Sequence, residues 1–226
     1  MPNHVVNIVS FEGKSLQIKQ MLSEIQNDEF GPGSISFQKL IPMPPELEIE
    51  CGSRTEQGIK AYRDYLLQTP AASSQTSIDS YLQAHPEIDR STFELGKRAA
   101  LNSVDYGSPT WYEWHIARWG TNWDAYGYEE NVDYSTTGEL RFLTAWAEPQ
   151  PVMEKLSVMY PLIKITHKWA NGDVSMGCGK AVYQAGIQTE LETFTELTQA
   201  HDFANKLWHS YDHAGVVQGT SMEQQL

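Results

Sequence analysis

The order of segments predicts an α+β fold: a ferredoxin-like split βαβ antiparallel sheet with a helical insertion and a C-terminal amphipathic helix. Three observations predict it. Short β-branched runs and amphipathic runs alternate as β-α-β and, later in the chain, as β-α-β-β. Between those halves, residues 53–107 lose strand chemistry and take on helical periodicity. Near the end, Leu191, Phe194, Leu197, His201, Ala204, Trp208 and Tyr211 recur at spacings of 3, 3, 4, 3, 4 and 3, the period of a helix with one apolar side. On this reading residues 1–190 are one ferredoxin-like domain, interrupted by the insertion at about 53–120. Residues 191–226 are a C-terminal helix and polar tail packed on the same domain.

Val5 to Phe11 (VVNIVSF) reads as the first strand, closed by Glu12-Gly13. Ser15 stands as a cap for a helix whose apolar side is Leu16, Met21, Leu22 and Ile25. Gly31-Pro32-Gly33 precedes a second strand at Ser34 to Ile41, ended by Pro42, Pro44 and Pro45. Ser53 with Glu56 and Ser91 with Glu94 have capping-box spacing, and predict helices at about 55–68, 77–84 and 91–105. Helices this short are marginal alone in water, so a fragment of 53–107 is expected not to fold. Its helices need a partner, and the Trp-rich stretch that follows is the expected one. Gly138 to Ala147 alternates with Leu140, Phe142, Thr144 and Trp146 toward the core. A helix over Val152 to Tyr160 follows, with Pro151 in its first turn. Ile163, Ile165, His167 and Trp169 share a face of a strand at Leu162 to Trp169; Asn171-Gly172-Asp173 turns it into a hairpin with Gly177 to Ile187.

Trp111 to Tyr126 (WYEWHIARWGTNWDAY) holds four of the seven tryptophans. Rings of this size bury about 150–250 Å² each, so something must cover them. Trp111, Trp114 and Arg118 form one helical stripe, Tyr112, Ile116 and Trp119 the next, and Gly120 stops the helix. One reading makes the stretch a helix end that closes over the sheet. The other makes it a pocket in which Trp111, Trp114 and Trp123 frame His115, Arg118 and Asp124 as polar contacts. A Trp114–Arg118 cation–π contact fits the first reading.

Charge narrows the function classes. With 29 acidic and 16 basic residues the net charge is −13, which opposes nucleic-acid binding driven by phosphate neutralisation. The basic-aromatic strand signature of RNA-binding sheets is absent, leaving single-stranded nucleic acid on Phe142 and Trp146 as a distant alternative. No run approaches the ~18 apolar residues of a membrane span, and the start lacks a signal-peptide pattern, so a cytoplasmic protein is expected. Cys51 and Cys178 lie far apart and read as buried or half-buried thiols. His209 and His213 stand four apart beside Asp212, but without an HExxH pattern they read as solvated helix surface, and no metal or cofactor is expected. GCGK at Gly177 to Lys180 has Val174 and Ala181 where a phosphate loop needs Gly and Ser or Thr. Glu113 and His115 diverge on a helix, and no nucleophile, base and orienting group stand at usable spacing, so the chain reads as a non-enzyme.

MPNHVVN at the start, KLIPMPPEL (Lys39 to Leu47), WYEWHIARWGTNW and FLTAWAEPQPV (Phe142 to Val152) together resemble the YubB-like family, up to about residue 188. The resemblance implies a ferredoxin-like domain on a plasmid- or phage-borne protein with no established activity. It transfers no catalytic residues. Joined to the acidity, it implies an accessory protein that binds a basic protein partner through Glu46, Glu48, Glu50, Glu129, Glu130 and Asp133. The rival is a small-ligand module built on the Trp111–Tyr126 pocket. The sequence carries no signal for an oligomeric state.

Overall fold

β1 (His4–Glu12), the first β-branched run, lies between β2 (Glu139–Ala145) and β3 (Lys164–Asn171) and is antiparallel to both. β2 and β3 therefore run parallel, with α7 (Gln150–Met159) crossing between them. This is the split βαβ unit. β4 (Cys178–Gln184) pairs with β3, and β5 (Ile187–Thr193) pairs with β4, giving one antiparallel sheet in the order β2-β1-β3-β4-β5. The protein is described from a computed structural model over residues 3–68, 75–128, 138–174 and 177–212. Two compact units result: a sheet unit of 1–42 with 118–226, and a helical unit of 43–117.

Helices cover both faces of the sheet. Val6, Ile8, Ala170 and Cys178 meet Ala200, Ala204, Leu207 and Tyr211 of α8 (Leu197–Asp212) on one face. Val152, Met153 and Leu156 of α7 are buried on the other. α1 (Ser15–Ile25) buries Met21, Leu22 and Ile25. The inward ring Phe142 packs edge-on against Phe37, which packs edge-on against Trp119, with centroids 5.9 and 5.8 Å apart. Across β3, β1 and β2 runs a buried polar chain. His167 Nε2 donates to Asn7 Oδ1 (3.0 Å), Asn7 Nδ2 to Thr144 Oγ1 (2.9 Å), and Thr144 Oγ1 to the Ala147 carbonyl (2.8 Å). A one-residue slip would break every link, so this chain fixes register.

Several sequence expectations are corrected. Ser34 to Ile41 is not a strand: Phe37–Leu40 is a single helical turn, α2, because the side chain of Asp124 caps it. Ser15 is the first helical residue of α1, with Lys14 at the cap position and no side-chain cap bond, and Leu16 points to solvent. Trp146 does not continue the β2 alternation; it has φ 72° and is 45% exposed. Residues 187–193 form the extra strand β5 rather than the start of the last helix. Leu191 therefore lies in the sheet, and α8 buries the Ala200–Ala204–Leu207–Tyr211 stripe instead of Leu197 and His201.

The helical unit holds a 3-10 turn at Pro45–Leu47, α3 (Ser53–Gln68), α4 (Gln75–Ala84), α5 (Arg90–Tyr106) and residues 111–117 of α6 (Trp111–Trp119). The helices predicted in the insertion are present, but much of their core is their own. Tyr65, Ile78, Tyr81, Ile88 and Phe93 form a cluster with Ala61, and Tyr65 and Phe93 meet edge-on at 5.5 Å. α5 is capped by Asp89, which accepts the Thr92 N–H, rather than by Ser91. α3 and α5 cross at Gly58 and Gly96; a Cβ on Gly96 would stand 1.8 Å from the Gly58 carbonyl carbon.

Candidate functional site

α6 starts at Trp111 because Thr110, itself buried, serves its first turn. Thr110 Oγ1 accepts the Tyr112 N–H (3.2 Å) and donates to the Glu113 carboxylate (2.5 Å), a Thr-x-x-Glu pair at capping-box spacing. That start sets Trp111 and His115 one turn apart on one side of the helix, with ring centroids 5.4 Å apart. Together with Met43, Glu48, Ile49 and Glu50 they line a cavity of about 360 Å³, all within the helical unit.

The second wall follows from alternation in Glu-Leu-Glu-Ile-Glu. Leu47 is fully buried, Ile49 half-buried, and Glu46, Glu48 and Glu50 exposed. Asn102 of α5 ties the two walls together: its Nδ2 donates to the Glu46 carbonyl (2.9 Å) and the Pro109 carbonyl (3.2 Å). Thr55 Oγ1 donates to the Glu50 carbonyl (2.6 Å), and Arg54 Nη1 holds the Glu50 carboxylate (2.6 Å). Arg54 is itself aimed by Thr92 (3.1 Å) and Ser91 (2.5 Å). Hydrogen bonds from Ser91 and Thr92 keep the Asp89 carboxyl well below the usual carboxylate range. Burial, with the negative charges of Glu113 and Glu50 nearby, pushes the Cys51 thiol up. The result is an aromatic and aliphatic floor with a carboxylate rim, a combination that favours a cationic group.

Of the residues expected in a pocket, Trp111 and His115 reach this cavity, and Trp114 is buried in the same unit. Arg118, Trp123 and Asp124 belong to the sheet unit. There Arg118 is exposed, and Trp123 is 42% exposed beside Tyr126. Asp124 has a structural post. Its Oδ1 accepts the Phe37 and Ala125 N–H groups (both 2.7 Å) and its Oδ2 the Ser36 hydroxyl (3.2 Å). Burial pushes its pKa up, against the pull of those bonds. The sequence reading placed Glu48 and Glu50 on an acidic face but did not join them to Trp111, and it did not single out Met43 or Ile49. Glu129, Glu130, Asp133 and His213 lie outside the described residues.

Elsewhere, Gly179 of the GCGK run lies against the Trp169 ring, where a Cβ would come within 2.6 Å of it. The Cys178 thiol is buried and donates to the Ala200 carbonyl (3.7 Å), while Cys51 is half-buried. Among the described residues no group of three or more His, Cys, Asp or Glu could hold a metal ion, and no helix is long and apolar enough to cross a membrane.

These features define the class first: an α+β protein with a ferredoxin-like sheet. Residues 122–210 match the family model described as "Ferredoxin-like domain in Api92-like protein". The match takes in β2 to β5, α7 and most of α8. Of the four sequence blocks that carried the YubB-like resemblance, only Phe142 to Val152 lies wholly inside it. The chain is also similar to the crystal structure of a protein api92 from Yersinia pseudotuberculosis. The TM-score is 0.42 and the identity 12%, over 87% of this chain and 99% of that one. No curated protein matches the chain. Neither similarity names an activity.

Proposed function

We propose that this protein is a non-catalytic accessory protein of a mobile element, acting by binding a basic protein partner. A Lys or Arg side chain of that partner enters the cavity of the helical unit. The observation that carries the reading is the cavity itself, with Trp111 and His115 on its floor and the exposed Glu48 and Glu50 on its rim. An ammonium or guanidinium over the indole gains cation–π attraction, and the carboxylates speed its approach. The net charge of −13 supports the choice of partner, and the YubB-like resemblance supports the plasmid or phage setting. Of the two rings expected to stack bases, Phe142 is buried and Trp146, 45% exposed, lies past the end of β2, so the sheet offers less to nucleic acid.

The test is titration of the intact protein with an oligo-arginine peptide at low and high salt. Binding is expected to weaken steeply with salt. It should fall about tenfold in Trp111→Ala and in the Glu48→Gln/Glu50→Gln double variant, the scale of one desolvated cation–π contact. Trp123→Ala, in the sheet unit, should bind as the parent does. Equal affinity in all the variants removes the cavity from the account. The volume favours a second occupant, a small cation, because about 300–1,000 Å³ is the range of ligand pockets. Tetramethylammonium binding that survives high salt while the peptide fails would select that reading.

A further inference from the structure

The two edges of the sheet differ. The outer edge of β2 is met by Tyr126, which exchanges both backbone hydrogen bonds with Leu143 (3.1 and 2.6 Å). β5 is the last strand on the other side, and no described strand pairs with its outer edge. Its residues are exposed at every position but Gln188, and Leu191 is 60% exposed. An edge this open is a template for another strand unless something guards it.

Its register shows what it fits. Glu190 pairs with Val182 and Glu192 with Lys180, whereas Leu191, between them, pairs with Ala181. One face of the edge therefore presents two carboxylates and the other an apolar side chain. A second copy is a poor occupant: antiparallel pairing centred on Leu191 sets Glu190 directly opposite Glu192, and like charges so placed repel. Residues 213–226 contain no Lys or Arg, so they lack the complementary charge as well.

We infer that β5 is a docking edge for an extended segment of a partner protein in which Lys or Arg alternates with apolar residues. The segment adds a sixth strand, with main-chain hydrogen bonds supplying affinity and the Glu190/Glu192 face selecting basic side chains. This surface stands on the sheet unit and does not depend on the Trp111 cavity.

The experiment follows backbone amides of the full-length protein by NMR and hydrogen exchange while adding acetyl-Lys-Val-Lys-Val-Lys-amide. The expected result is a severalfold gain in protection and a shift change confined to β5. Both should vanish with the same peptide N-methylated at alternate residues, which removes the main-chain bonds, and with acetyl-Glu-Val-Glu-Val-Glu-amide. Both should also vanish in Glu190→Lys/Glu192→Lys, whose fold is checked by unchanged β1–β4 amides. Trp111→Ala should leave the β5 response intact, which separates this inference from the cavity reading. Equal protection by the glutamate peptide, a response elsewhere than β5, or dimerisation of the free protein through β5 would overturn it.

Discussion

The sheet unit and the helical unit solve the same problem with opposite means. The sheet unit is held by register: paired strands, a polar chain from His167 through Asn7 to Thr144, and helices laid on both faces. Among its described residues the helical unit has no strands, and its longest helices are locked where Gly58 meets Gly96 with no room for a side chain. The sheet unit thus commits buried polar groups to its frame. The helical unit commits backbone contact to its frame and lines a cavity with Trp111, Glu48 and the Arg54-held Glu50. The two frames differ in kind, and each can be broken separately.

The largest effect is expected at the glycine crossing. Helix propensity alone favours Gly96→Ala by up to about 1 kcal/mol. The new methyl, however, meets backbone rather than a side chain that can turn away, and overpacking of that kind costs about 3 kcal/mol or more. Hydrogen exchange should show α3 and α5 opening while β1 and β3 stay protected. Gly107→Ala sharpens the comparison: φ there is 75° but a Cβ would meet nothing within 4 Å, so only the left-handed penalty of about 1–2 kcal/mol applies. Equal losses at the two glycines would mean that the close approach is not what holds the helices.

Acid should expose the sheet unit's dependence on its buried polar chain. Burial drives His167 down to about 3 from an ordinary value of 6.5. Between those values the unfolded chain takes a proton that the folded chain refuses. Stability is therefore complete above pH 6.5, falls as pH drops below it, and levels off near 3. The slope is at most about 1.4 kcal/mol per pH unit. Denaturant melts followed through the sheet-unit amides should show this fall, and His167→Gln should flatten it. A parent profile as flat as the variant's would contradict a buried neutral imidazole.

Asn102 gives a smaller and more local effect. Asn102→Ala leaves the Glu46 and Pro109 carbonyls without their donor, at about 1–3 kcal/mol. It should also loosen the cavity walls, so oligo-arginine affinity falls although no lining residue is changed. Unchanged affinity would show that the walls hold without that bridge.

The helices and the hairpin were legible because their patterns are local. Helical periodicity, a proline at the α7 start and period-two alternation through Ile163, Ile165, His167 and Trp169 each act within a few residues. What misled was determined at a distance. Ser34 to Ile41 has strand composition, but a carboxylate 87 residues away caps it as a helical turn. β5 carries Glu190 and Glu192 in a polar run that only pairing with β4 organises. The cavity was half legible. Trp111 and His115 follow from helical spacing and the acidic rim from Glu-Leu-Glu-Ile-Glu, but their meeting depends on Asn102, whose two bonds reach 56 and 7 residues away. The stripe Trp111, Trp114, His115, Arg118, Trp123 and Asp124 read as one pocket because it is continuous in sequence; its members belong to two units.

The proposed function rests on a cavity for a Lys or Arg side chain in a helical unit with its own core, and one measurement addresses it directly. A fragment of residues 43–117 is expected to melt cooperatively, since Tyr65, Tyr81, Phe93 and Leu47 are buried within it. It should also bind the oligo-arginine peptide with the affinity of the intact protein. The shorter piece 53–107, which lacks both cavity walls, should not bind it. A 43–117 fragment that folds yet does not bind a peptide the whole protein binds, or one that shows no transition at all, would contradict the account.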